Sequence, residues 1–130
     1  MQIKTHELAD KKLLGEPLSI EDDKSSEVVL KITKEMTVDE KRLIHGGFTF
    51  SLADYAAMLA VNHPNVVLGS ADVKFIKPVV VGDTLKALAT VVEIEDKKRI
   101  VKVDVFNQKN EIVFSGNFIC FVLQRHVLDK

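Results

Sequence analysis

From Gly47 to Val61 the chain reads Gly-Phe-Thr-Phe-Ser-Leu-Ala-Asp-Tyr-Ala-Ala-Met-Leu-Ala-Val, an apolar helix carrying one charged side chain, Asp54. A helix that is hydrophobic nearly all round is a buried helix, so the rest of the chain must wrap it. Burying one carboxylate among Phe50, Met58 and Val61 is costly unless the acid is paired, protonated or used. The helix opens on His45-Gly46-Gly47. Two glycines leave the first backbone N–H groups uncovered, so an electron-rich oxygen can reach them. An acid together with a polarising helix N-terminus is equipment for acyl chemistry.

The chain has 130 residues, one domain with room for a real core. Its formal net charge of -1 argues against a nucleic-acid partner, which calls for a basic excess. The apolar stretch around Asp54, about 15 residues, falls short of the roughly 20 of a membrane span, and the start of the chain lacks a signal-peptide core. Cys120, the single cysteine, has no partner for an internal disulfide and fits a reducing compartment. A cytoplasmic location away from membranes is the expectation.

Periodicity and turn residues order the elements. Residues 5–14 read as a short amphipathic helix closed by Gly15 and Pro17. Residues 26–33 alternate as a strand, with Val28, Leu30 and Ile32 on one face. Residues 38–44 are polar and irregular. His63-Pro64-Asn65 ends the buried helix. Strands follow over 66–77, 84–95, 99–108 and 112–123, separated by turns at Gly82-Asp83, Asp96-Lys97-Lys98 and Asn110. One long helix wrapped by an antiparallel five-stranded sheet is an α+β layout, with the core spanning about residues 26–123 of a single domain. Phe114, Phe118 and Cys120 make one face of the last strand apolar, and Ile119, Phe121 and Leu123 the other. A strand apolar on both faces needs a cover on each, and a subunit interface supplies the second.

His-Gly-Gly-Phe-Thr-Phe-Ser-Leu-Ala-Asp, followed by Phe75-Ile76-Lys77-Pro78 and Gly82-Asp83-Thr84-Leu85, resembles the hotdog-fold acyl-CoA thioesterases of the PaaI-like (phenylacetate-pathway) branch. The resemblance covers roughly residues 26–122. It implies the hotdog fold, hydrolysis of a coenzyme A thioester and no cofactor. In that family the aspartate acts as nucleophile or general base, and a glycine N–H at the helix start polarises the thioester carbonyl. Carried over, these roles fall on Asp54 and on Gly46 with Gly47, and His45 positions the loop or a water. On the residues alone Asp54 has a second reading, a structural aspartate held by hydrogen bonds across a dimer.

Helix geometry bears on assembly. Gly47 and Asp54 lie on one helix face, about 20° short of two full turns, yet about 10 Å apart along the axis. That is too far for both to act on one carbonyl. Two copies of the helix packed antiparallel place Asp54 of one chain opposite the glycines of the other, so a homodimer with two sites is expected, open to further association into a tetramer.

The remaining candidates are weaker. Asp39 stands where relatives commonly carry Asn or Gln, and Asp72 where several place Thr or Asn; Ser70 is the nearest neutral hydroxyl. If the three carboxylates converge, repulsion raises the pKa of at least one; otherwise Asp39 caps its loop and Asp72 faces solvent. Phe48, Phe50, Met58 and Leu59 offer an apolar setting for an acyl group. Lys97, Lys98 and Arg99 are candidates for coenzyme A phosphates, although a charged hairpin tip is more often an ordinary solvated turn. No metal-ligand spacing, serine-hydrolase elbow or phosphate loop occurs. The other readings are a thioester-sensing module without turnover and a hydratase with His45 as its histidine.

Overall fold

The computed structural model describes residues 1–129. The order is α1 (Lys11–Leu14), β1 (Glu16–Glu21), β2 (Ser25–Lys31), a single 3-10 turn (Lys34–Met36), α2 (Gly46–Val61), β3 (Val66–Phe75), β4 (Thr84–Glu95), β5 (Lys98–Phe106) and β6 (Ile112–Val122). The strands form one antiparallel sheet in the order β1-β2-β4-β5-β6-β3, curved around α2.

Strand alternation sets the inner face. Val28 and Leu30 of β2, Leu85, Ala87 and Ala89 of β4, and Val101, Val103 and Val105 of β5 are buried, while Lys86, Thr90 and Lys102 between them face outward. Alanines 53, 56, 57 and 60 of α2 are all fully buried. Their small side chains let the sheet come close enough for the Ser26 hydroxyl of β2 to donate to the Ala56 carbonyl at 2.6 Å. The helix ends at Asn62 in the left-handed conformation (φ 52°). The Asn62 amide reaches Gln2 O and Asp22 Oδ1, both at 2.8 Å, and its carbonyl oxygen accepts the Lys4 N–H, tying the chain's start and the β1–β2 turn to the helix end.

Two expectations need correction at the N-terminal end. The helix is a single turn rather than residues 5–14, because Asp10 caps it, accepting the Lys12 N–H at 2.8 Å, and His6 is left-handed (φ 52°). The sheet has six strands, not five: β1 is added at its edge. Pro17 masks that strand in the sequence, yet an edge tolerates a proline, and the pairing with β2 shifts register between Pro17 and Ser19. The four later strands match the sequence reading to within two residues at each end, and the three turns fall where it placed them. Gly82 (φ +94°), Asp96 (φ 54°) and Asn110 (φ 60°) each supply the left-handed turn residue.

Candidate functional site

The site begins at the N-terminus of α2. His45 is the cap residue, in extended conformation, and its Nδ1 accepts the Gly47 N–H at 2.7 Å. A Cβ on Gly47 would come within 2.8 Å of that nitrogen, so glycine here is what lets the imidazole fold back onto its own helix. The His45 carbonyl accepts from Phe48 at 3.1 Å. The sequence reading takes both glycine N–H groups as open; the structure occupies Gly47 and leaves Gly46, which meets no acceptor among the described residues.

Gly46 opens on a cleft of about 330 Å³ whose walls include Thr49, Phe75, Ile76, Pro78 and Val113. The Phe75 ring is 57% exposed and stands over Gly46, where an added Cβ would lie 3.1 Å from its Cε1. Edge contact with Phe114 at 5.2 Å holds the ring from below. Lys77 also reaches the cleft, but its ammonium pairs with Glu111 at 2.8 Å. The sequence motif marks Phe75 only as a family signature. Its role as a wall arises from the pairing Phe75–Phe114 across β3 and β6, a contact between distant parts of the chain that no local pattern reveals. Thr49 is likewise missed, although its offset of three residues from Gly46 puts the two on one helix face.

Asp54 lies two turns further on. Most of α2 is buried, but Gly47, Phe50, Ser51 and Asp54 are only half covered, and at helical spacing they form one stripe. Within that stripe Asp54 Oδ1 is sealed from solvent without a hydrogen-bond partner. Burial pushes its pKa up to about 6, because the charged form loses hydration without gaining a cation. The acid therefore changes charge near neutrality, which suits proton transfer. Cys120 is fully buried, and burial, followed by the charge of Asp54, pushes its thiol up to about 12. That agrees with a packing role.

Within one protomer the three carboxylates do not converge. Asp39 is exposed, and its Oδ1 accepts the N–H groups of Lys41 (2.9 Å) and Leu43 (3.2 Å), capping its loop. Asp72 pairs with Asn117 between Ala71–Phe118 and Val73–Gly116. Because Phe118 points inward and is buried, Asp72 projects from the outer face, away from α2. Ser70 is exposed beside it.

The apolar candidates divide. Met58 is 1% exposed and belongs to the core, not to an accessible surface. Leu59 and Tyr55 are buried with it. Phe50 is half covered, packed on Phe118 at 5.5 Å and Phe114 at 6.5 Å, and Phe48 stands edge-on to His45 at 6.4 Å.

The basic cluster sits at the other end of the helix. Arg99 Nε and Nη2 donate to Asp23 at 3.1 and 3.3 Å, and Nη1 to the Asp96 carbonyl at 2.6 Å. The Asp23 N–H in turn donates to the Val61 carbonyl at the end of α2. Arg99 is thus committed to bracing two turns, and only Lys97 and Lys98 are left to meet a phosphate. Among the described residues no cluster of His, Cys, Asp and Glu could hold a metal ion, and no helix is long and apolar enough to cross a membrane.

Residues 42–114 match the sequence model of the thioesterase superfamily. A solved Pyrococcus horikoshii structure is similar to 99% of this chain and 98% of its own, with 53% identity and a TM-score of 0.95. The Escherichia coli PaaI protein from the phenylacetic acid degradation operon is similar at 25% identity and a TM-score of 0.81, over 89% of this chain and 84% of its own. Among curated relatives, methylthioribose-1-phosphate isomerase of Aquifex aeolicus is 48% identical over 95% of this chain and 26% of its own length. The transcription factor FapR of Caldanaerobacter subterraneus is 30% identical over 91% of this chain and 58% of its own. The chain thus spans about a quarter of the first relative and under two thirds of the second.

Proposed function

Because the chain belongs to the thioesterase superfamily, with the α+β hotdog architecture of PaaI, we propose that it hydrolyses an acyl-CoA thioester to the free acid and coenzyme A. The observation that carries this reading is Asp54: a carboxylate with an unpartnered buried oxygen, on the one half-covered stripe of an otherwise buried helix, two turns from an open N–H. Attack on the thioester carbonyl develops an oxyanion, which the Gly46 N–H at the positive helix end stabilises. Asp54 either takes a proton from the attacking water or attacks directly. Collapse of the oxyanion then breaks the C–S bond and expels coenzyme A as its thiolate. On the direct route, water cleaves the resulting anhydride to the free acid and restores the Asp54 carboxylate.

The site is completed by a second copy of the chain. Gly46 and Asp54 are about 12 Å apart along the helix axis, too far to act together within one protomer. The open surfaces support an antiparallel pairing. Ala71 and Phe75, on the side of β3 that faces α2, are exposed, next to the half-covered stripe of the helix. β3 also lies at the sheet edge, paired among the described residues with β6 alone. In such a dimer Lys97 and Lys98 of one protomer approach the helix start of the other, where coenzyme A phosphates can be met.

A second reading is a thioester-binding module without turnover; the likeness to FapR, a transcription factor, favours the absence of turnover. Free-thiol release from short, medium, long and aromatic acyl-CoAs separates the two. Turnover by the wild-type chain that collapses in Asp54→Asn supports hydrolysis. Ligand-induced thermal stabilisation with no thiol released supports the sensor.

A further inference from the structure

We propose that the Thr49 hydroxyl is a second hydrogen-bond donor in the cleft, acting beside the Gly46 N–H on the carbonyl oxygen of the bound thioester. This rests on the hydrolase reading and adds a catalytic residue to it.

The starting point is a polar side chain with nothing to do in the protein. Thr49 is 3% exposed, yet its hydroxyl makes no hydrogen bond among the described residues. A threonine inside a helix ordinarily has the carbonyl four residues back within reach. Ser51, two positions on, uses that option and donates to the Gly47 carbonyl at 2.8 Å. Thr49 does not. A hydroxyl that has no partner in the protein is free to bond with whatever fills the opening beside it.

The surroundings say where that partner sits. Among the described residues Asp54 Oδ1 is the buried side-chain oxygen that lacks both a partner and solvent. The Thr49 hydroxyl is not sealed in that way, and the opening that Thr49 lines is the cleft it shares with Gly46. Helical side chains tilt toward the helix N-terminus and cover the turn before their own Cα. At three residues' spacing, Thr49 therefore leans over Gly46. Two neutral donors meet on one wall.

The other walls define the acceptor. Phe75, Ile76, Pro78 and Val113 are apolar, and the Lys77 charge is taken up by Glu111. A pair of uncharged donors in such a setting selects a neutral carbonyl oxygen that gains charge during reaction, rather than a free anion that would demand a cation at the outset.

The test uses Thr49→Val, which keeps the branched shape without the hydroxyl, and Thr49→Ser, which keeps the hydroxyl. Thr49→Val is expected to hold or raise Tm, since the hydroxyl has no partner in the protein to lose, while kcat for whichever acyl-CoA of the panel the wild type turns over fastest falls about 10- to 100-fold with KM little changed. Thr49→Ser is expected to stay within about threefold of wild type. A Thr49→Val protein that turns over like wild type overturns the assignment and leaves Asp54 untouched. So does a loss of Tm in Thr49→Val with no rescue of kcat by Thr49→Ser, which marks a structural hydroxyl. Absence of thiol release by the wild-type protein from every acyl-CoA of the panel removes both this assignment and the hydrolase reading.

Discussion

The Gly47 N–H donates to Nδ1 of His45 at 2.7 Å, so the histidine that opens the helix closes off one of its own two glycine donors. His45 is the helix cap: it ties down the first turn so that, of the two glycines, Gly46 is the one whose N–H meets no acceptor among the described residues. His45→Ala is expected to lower stability by about 1 kcal/mol through loss of the cap, and His45→Asn, a good capping residue, to recover most of it. Urea denaturation of the three proteins measures this. Equal stability of wild type and His45→Ala would show that the cap contributes nothing.

Asp54 makes stability depend on pH. Its folded pKa of about 6 lies above its ordinary value of 3.8, so between these values the folded state binds the proton more tightly than the unfolded state. Stability therefore falls as pH rises from about 4 to about 6 and stays reduced above that. The size of the effect is at most about 3 kcal/mol. Asp54→Asn, which has no charge to bury, is expected to be more stable than wild type at pH 7 and to lose that advantage near pH 4. Denaturation midpoints at several pH values test the sign. A wild-type advantage at pH 7 would mean that Asp54 is paired across the dimer.

Arg99 and Asp23 link the β4–β5 turn to the β1–β2 turn in a two-bond fork, with the arginine side chain 13% exposed. Arg99→Ala is expected to cost about 1–2 kcal/mol. Arg99→Lys should recover only part of that, because an ammonium cannot reproduce the planar fork. Thermal denaturation decides. Full recovery by lysine would mean that charge alone matters there.

The readability of this chain divides along physical lines. The buried helix, its wrapping strands and Asp54 were legible because they depend on local periodicity and on the anomaly of one carboxylate in an apolar run. β1 was hidden by Pro17, whose tolerance at an edge depends on where the strand lies in the sheet. Asp39 and Asp72 needed the fold: one cap and one sheet face decide both, and a shift of one residue in register would reverse the second. Phe48, Phe50, Met58 and Leu59 look alike as an acyl setting in the sequence, because an all-apolar helix gives no sign of which stripe its sheet leaves open; Met58 and Leu59 fall on the closed side. The cleft wall at Phe75 and the idle hydroxyl of Thr49 depend on long-range packing, and the sequence gives only their spacing.

The central claim is that Asp54 of one protomer works with Gly46 of another. Two inactive variants test it directly: Asp54→Asn, and Gly46→Pro, which removes the open N–H at a first-turn position that accepts proline once the Phe75 ring gives way by a few tenths of an ångström. Unfolded together and refolded as a mixture, they form heterodimers in which one site carries both defects and the other neither. The account predicts recovery of roughly a quarter of wild-type thiol release from an equal mixture, with each variant alone inactive. Inactivity of the mixture, alongside an active wild type and demonstrated heterodimers, would place both groups in one protomer and contradict the account.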